Sequence, residues 1–220
     1  QLNYPVYRVV YRDLRQDILD ASVGKFKAFM APFYTKNPVT GKKGLIRRQC
    51  TSDYKIKPVV KKVREMLGLE WGEKRKKGTS VEMIMGISID EVFRMKTNRI
   101  KYITNVYPLV DSKLSRQDCK QWMKDQGYPV PPRSACTFCP YHSTEEWLNV
   151  KKNPEEWAQV VAMDKAIRNT ERFKVGGKSA AVKDELYLHR SCVPIDEVDF
   201  GKEDPQMDLF NSECEGMCGN

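Results

Sequence analysis

Apolar and polar positions change their spacing repeatedly along the chain, and the changes predict strands alternating with helices. Residues 5–12, PVYRVVYR, set branched and aromatic side chains between basic ones and predict a short strand. In DLRQDILDAS, which follows, Leu14, Ile18 and Leu19 share one helical face behind Asp13 as N-cap. YTKNPVTGKKG has no period and predicts a loop. KPVVKKVREMLG predicts a helix with Pro58 in its first turn, an apolar face of Val59, Val63, Met66 and Leu67, and Gly68 at its end.

VEMIMGISI then reads as a buried strand, DEVFRMK as helical, and IKYITNVYPLV as a second strand. SRQDCKQWMKDQG predicts a helix with Ser115 as N-cap, Asp118 completing a variant capping box, and Gly127 as the stop. The prolines of YPVPPRSACTFCP exclude regular structure and leave its cysteines in a constrained loop. STEEWLNVKKN and PEEWAQVVAMDKAIRNTER predict two more helices, in which Trp147 and Trp157 are expected to pack in the core. KVGGKSAAVKDE predicts a mobile loop, and the tail VDFGKEDPQMDLFNSECEGMCGN carries no period. The alternation predicts an α/β fold, a parallel sheet flanked by helices over residues 1–142, followed by a helical extension and irregular tail over 143–220.

With 220 residues, 40% hydrophobic and 10% aromatic, the chain is long enough for a sizeable core and predicts a soluble protein. It contains neither a secretory signal nor the roughly 18 uncharged apolar residues of a membrane span. The first residue is Gln1, which raises the expectation of a processed or N-terminally truncated chain. The net charge of +9 predicts an anionic partner, a phosphate-bearing ligand or nucleic acid, although solvated lysines account for much of it. Basic knots stand at KKGLIRR, KIKPVVKKVR and EKRKKG. The seven cysteines, Cys50, Cys119, Cys136, Cys139, Cys192, Cys214 and Cys218, are odd in number and irregularly spaced. That pattern favours metal or thiol chemistry in the cytosol over a secreted disulfide framework.

Cys136-x-x-Cys139 allows three readings: half of a zinc site, half of an iron–sulfur site, or a redox dithiol. A tight zinc site would need further Cys or His ligands, and the chain has only His142 and His189. Cys50 lies among Arg47, Arg48, Lys55 and Lys57, cations that favour a thiolate and also suit an anionic substrate.

In RRQCTSDYKIKP, MGISIDEVFRMK, YPLVDSKLSRQDCKQWM and RSACTFCP the chain resembles the adenylylsulfate and phosphoadenylylsulfate (PAPS) reductase family of the PP-loop, or adenine nucleotide alpha-hydrolase-like, superfamily. Cys50-Thr51 stands at the family's double cysteine, Lys55 keeps the offset of its lysine, and Pro58-Val59 takes the place of its Pro-Leu. RRQCT-x-x-YKI-x-P, CP-x-H-S-x-x-E-W and ECEGMCG are similar to a group of such proteins common in phages and bacteria.

The resemblance implies a [4Fe–4S] cluster, with zinc as the alternative, held by Cys50, Cys136 and Cys139. Thr51 replaces the family's second cysteine, so the fourth ligand is open, with Cys119 the first choice and Cys192, His142 and the tail cysteines behind it. The resemblance further implies an adenine nucleotide as substrate, Lys55 polarising it, Arg47, Arg48, Arg94 and Arg99 (with Lys96 nearby) contacting phosphate or sulfate, and Cys214 or Cys218 attacking sulfur. A thioredoxin-like thiol donor would then act as partner. The superfamily's Ser-Gly-Gly-x-(Lys/Asp)-Ser phosphate loop is absent from the sequence, which implies that it lies upstream. Alternatives are a PP-loop sulfur transferase that modifies nucleic acid and a non-catalytic, metal-stabilised module that binds nucleic acid or protein. His142 is expected to cap its loop or support a neighbouring ligand rather than act as a base, and His189 to be a packed histidine rather than a ligand.

Overall fold

The computed structural model describes residues 4–25, 31–70, 72–130, 135–168 and 183–201; Cys214, Cys218 and most of the expected loop after residue 173 lie outside them. In chain order the elements are α1 (Leu14–Ser22), β1 (Tyr34–Lys36), β2 (Lys43–Leu45), α2 (Lys57–Met66), β3 (Val81–Ile84), β4 (Ile103–Val106), α3 (Pro108–Asp111), α4 (Arg116–Asp125), α5 (Thr144–Lys151), α6 (Pro154–Ile167) and β5 (Glu185–Tyr187). The chain is mixed α/β, and its described residues form two compact bodies. One comprises 10–54 with 135–201 and bears Cys50, Cys136, Cys139 and Cys192; the other comprises 4–9 with 55–130 and holds the parallel strands.

In the thiol-bearing body the helix starts follow the local chemistry of the sequence. Asp13 accepts the Arg15 and Gln16 amides at 2.8 and 3.2 Å, Ser143 and Glu146 form a reciprocal capping box, and Asn153 receives the amides of Glu155 and Glu156. Residues 34–44, expected as loop, instead form with Leu45 a hairpin in which Thr35 faces Gly44, and β5 pairs antiparallel on the other side of β1 with Leu186 facing Thr35. Asn37 ties the turn by accepting the Val39 and Thr40 amides and donating to Asp184. A Cβ on Gly44 would stand 2.9 Å from Thr35 Oγ1, so the strand crosses Thr35 where it has no side chain. The core lies among α1, α5, α6 and this sheet, where Ile18, Phe33, Trp147, Met163, Ile167 and Leu186 are buried together. Trp147 is fully buried and Trp157 packs at the edge of the cluster, as expected.

One buried carboxylate organises the rim of this core. Asp164 on α6 accepts the Leu188 and Ile195 amides at 3.0 Å each and pairs with Arg168, one turn later. Each oxygen is occupied, which offsets the cost of burying the charge and pins residues 188–195 against α6.

The parallel-sheet body is built differently. β3 and β4 run parallel with Val81 opposite Ile103 and Ile84 opposite Val106, above a small cluster of Met85, Ile87 and Tyr107. Ser115 and Asp118 make the predicted capping box of α4, and Gly127 takes a positive φ of 71° just beyond its end. The expected strand over 81–89 ends at Ile84, and Ile89–Arg94 is a 3-10 turn. Residues 5–12, expected as a strand, hold no regular structure; Val6 and Val10 are each 74% exposed, so their branched side chains face no layer that would reward an extended ladder. Parallel pairing is thus confined to two strands among the described residues, and the second sheet is antiparallel. No described helix is long and apolar enough to cross a membrane.

Candidate functional site

Cys50 is half-buried at the first residue of a helical stretch that reaches Met66 through π-type turns at Ser52–Ile56. A π segment carries one residue more per hydrogen-bonded ring than an α-helix and so rotates the side chains that follow it. Thr51, the next residue, is buried at 6% exposure. Tyr54 closes the segment's first turn by donating its hydroxyl to Asp17 on α1 at 2.5 Å, and Arg12 grips the same carboxylate through Nε and Nη2. Burial alone would raise the Asp17 carboxyl, but these bonds outweigh it and hold the group below the usual carboxylate range. The same environment pushes the Tyr54 phenol up, through burial first and the carboxylate second.

The second cysteine element is a pair of consecutive turns. The Cys139 amide donates to the Cys136 carbonyl at 2.9 Å and the His142 amide to the Cys139 carbonyl at 3.1 Å. Phe138 packs against the core, Pro140 is buried, and the His142 ring lies 4.7 Å from that of Trp147. The two thiol positions therefore stand on a loop fixed from both sides, with the capped start of α5 immediately after it.

Tyr141 and Tyr34 mark where these elements meet. Burial raises the Tyr141 phenol; the Arg48 guanidinium, 5.8 Å from its ring centre, opposes that, while Tyr34, Cys139 and Cys50 reinforce it. Burial likewise raises Tyr34, Arg190 opposes, and Cys139 and Cys192 add to the rise. Cys50 and Cys139, 89 positions apart in the chain, thus act on one phenol, with an arginine over its ring. Tyr34, Tyr141 and Arg190 were not singled out by sequence reasoning; only Tyr141, adjoining the Cys-x-x-Cys turn, carried a local signal.

Cys192 is 1% exposed, with a φ of 53° and its Sγ directed to the Thr35 and Arg190 carbonyls at 3.7 and 3.6 Å. Burial pushes its thiol up. His189 is held as a neutral ring whose Nδ1 accepts the Ser191 amide and meets Ser191 Oγ at 2.7 Å; burial, then Arg190 and Lys43, bring it down to about 4. That is the packed histidine the sequence leads one to expect.

The remaining candidates are distributed. Arg47 is exposed beside Arg48. Lys55 and Cys119 belong to the parallel-sheet body, Cys119 half-buried on α4. Arg94 pairs with Glu91 at 2.5 Å, and Arg99 and Lys96 are exposed. Cys214 and Cys218 lie outside the described residues.

The donor chemistry of Cys50, Cys136 and Cys139 suits a soft, thiolate-bound metal. Among the described residues, no three Cys, His, Asp or Glu side chains stand close enough to share one ion, so two elements converge without a closed ligand cage. No protein-family model, no curated protein and no solved structure matches the chain.

Proposed function

We propose that the chain is a PAPS reductase-like enzyme of sulfur metabolism with a PP-loop type of fold, reducing an adenylylated sulfate or related nucleotide by thiol chemistry. The observation that supports this most is the meeting of Cys50 and Cys139 at Tyr141 under Arg48, because the two cysteine elements that carry the family resemblance fall in one place. Cys50, Cys136 and Cys139 would hold a [4Fe–4S] cluster, which when bound supplies a local electrostatic field and a structural tie more than an electron path. Arg48 would receive the sulfate or phosphate charge, and Tyr34 and Tyr141, whose phenols burial raises, would offer hydroxyl donors to it.

In the proposed step a thiolate of the Cys214 and Cys218 pair attacks the sulfate sulfur, the S–O bond to the nucleotide breaks, and the nucleotide leaves as a phosphate. The enzyme then carries a Cys–S–SO3 group. A second thiol attacks the cysteine sulfur, sulfite leaves with the bonding pair, and a disulfide forms; the dithiol is oxidised as sulfur is reduced.

The test is sulfite release from adenylylsulfate and its 3′-phosphorylated form by anaerobically purified full chain with a thioredoxin-like dithiol. Sulfite formation that is lost in Cys214→Ser or Cys218→Ser, together with iron and acid-labile sulfide lost in Cys50→Ser, is the expected result. Sulfite formation undiminished in both tail variants removes them from the mechanism. A colourless protein holding only zinc overturns the cluster, and an iron-loaded protein releasing no sulfite favours the sulfur transferase.

A further inference from the structure

The net charge is not shared between the two bodies. Among described residues the parallel-sheet body has 18 Lys and Arg against 9 Asp and Glu, whereas the thiol-bearing body has 14 against 14. All of the chain's excess of +9 is therefore matched by the excess in the body without the convergent cysteines.

Within that body the charge is gathered by the fold. Because β3 and β4 are parallel, the segments that enter them arrive at the same end of the sheet. One brings Lys74, Arg75, Lys76 and Lys77; the other brings Arg99 and Lys101, and all six are exposed. The Arg75 guanidinium lies 5.7 Å from the centre of the Tyr102 ring, and the Val81 amide donates to the Tyr102 carbonyl at 2.8 Å, which joins the two segments directly.

Both segments are also held in place. Arg64 on α2 donates to the Glu70 and Glu73 carbonyls at 2.9 Å each, and the Glu73 carboxylate receives the Glu70 amide, so the nearest acid is used locally. On the other side, Asn98 bonds the Asn105 side chain and caps the Ile100 amide, while Asn105 and Tyr107 both donate to the Lys96 carbonyl. No ion pair among the described residues engages any of the six cations.

We propose that this cationic cluster at the N-terminal end of the parallel strands is a sequence-independent binding surface for the phosphate backbone of nucleic acid. Six exposed cations carried on two tethered segments match a regularly spaced polyanion better than a single small anion, which two or three would saturate. None of these six cations is among Arg48, Tyr34 and Tyr141, the groups proposed to meet the substrate anion, so the surface stands whether or not the reductase reading holds.

The test is fluorescence anisotropy of a fluorescein-labelled 20-nucleotide single strand and of its duplex with the full chain, from 50 to 300 mM NaCl. Binding is expected to weaken steeply with salt, by about 0.7 to 0.9 units of slope in a log–log plot for each phosphate neutralised. The exposed variant Lys74→Gln/Lys76→Gln/Lys77→Gln should lose about tenfold or more in affinity and flatten the slope by about two to three units. Lys42→Gln/Lys183→Gln in the thiol-bearing body should behave as wild type. Equal binding by the triple variant, or a loss matched by the control variant, overturns the assignment. So does absence of nucleic-acid binding at 50 mM salt, including the case in which the chain co-floats with phosphatidylserine-containing vesicles instead.

Discussion

The Tyr54 hydroxyl donates to the Asp17 carboxylate at 2.5 Å, tying the π-type segment after Cys50 to α1 across 37 positions of sequence. Asp17 is 2% exposed and holds Arg12 as well, so a single carboxylate sets where the helix carrying Cys50 begins. Asp17→Asn should cost about 2 kcal/mol and Tyr54→Phe about 1 kcal/mol, since hydrogen bonds to a charged group exceed neutral ones. The folded carboxyl lies below its unfolded value, so the contribution is present above roughly pH 4 and fades as pH falls through the lowered folded value. Urea unfolding of both variants at pH 7 and pH 3 checks this: the wild-type advantage over Asp17→Asn should shrink at the lower pH.

His189 should make stability fall over a different window. Its folded value is about 4 against about 6.5 unfolded, so between these the unfolded chain takes up a proton that the folded chain refuses. Stability should therefore drop from pH 6.5 towards pH 4, by at most about 3 kcal/mol. His189→Asn, whose side-chain oxygen can replace Nδ1 as acceptor for Ser191, should flatten that slope. Unfolding midpoints at pH 7, 5.5 and 4.5 read it directly, and an unchanged slope in the variant would refute the assignment.

Removing the Asp164 carboxylate should free the segment it pins. Asp164→Ala leaves the Leu188 and Ile195 amides buried without their acceptor and Arg168 without its partner, at about 3 to 5 kcal/mol. The sharper signature is local: the Cys192 thiol, 1% exposed in the intact protein, should react with a disulfide reagent many times faster in the variant. Labelling followed by peptide mapping distinguishes this from global unfolding, which would expose Cys119 to the same degree.

How much of this was legible beforehand depends on how local each determinant is. The caps at Asp13 and Ser115 work within three or four residues and were readable as spacing. The β1–β2 hairpin was not, because Thr35, Lys36, Lys42 and Lys43 offer no apolar alternation, and its register rests on Asn37 and on Gly44 facing Thr35. The apolar and aromatic positions of residues 5–12 misled in the opposite direction, propensity without a partner strand. Of the candidate site, the two cysteine elements and Arg48 could be named from the sequence. Tyr34 and Arg190 could not, since what places them is the pairing of β1 with β5 and the grip of Asp164 on backbone amides, neither of which leaves a residue pattern.

The two-stranded parallel sheet leaves a one-sided signature in amide exchange. The Val81 and Met85 amides donate inward to the Tyr102 and Val106 carbonyls, so by the alternation of a strand those of Glu82 and Ile84 point to the outer edge. Along β3, slow and fast deuterium uptake should therefore alternate residue by residue, and anything that docks a further strand on that edge would be read first as the slowing of Glu82 and Ile84.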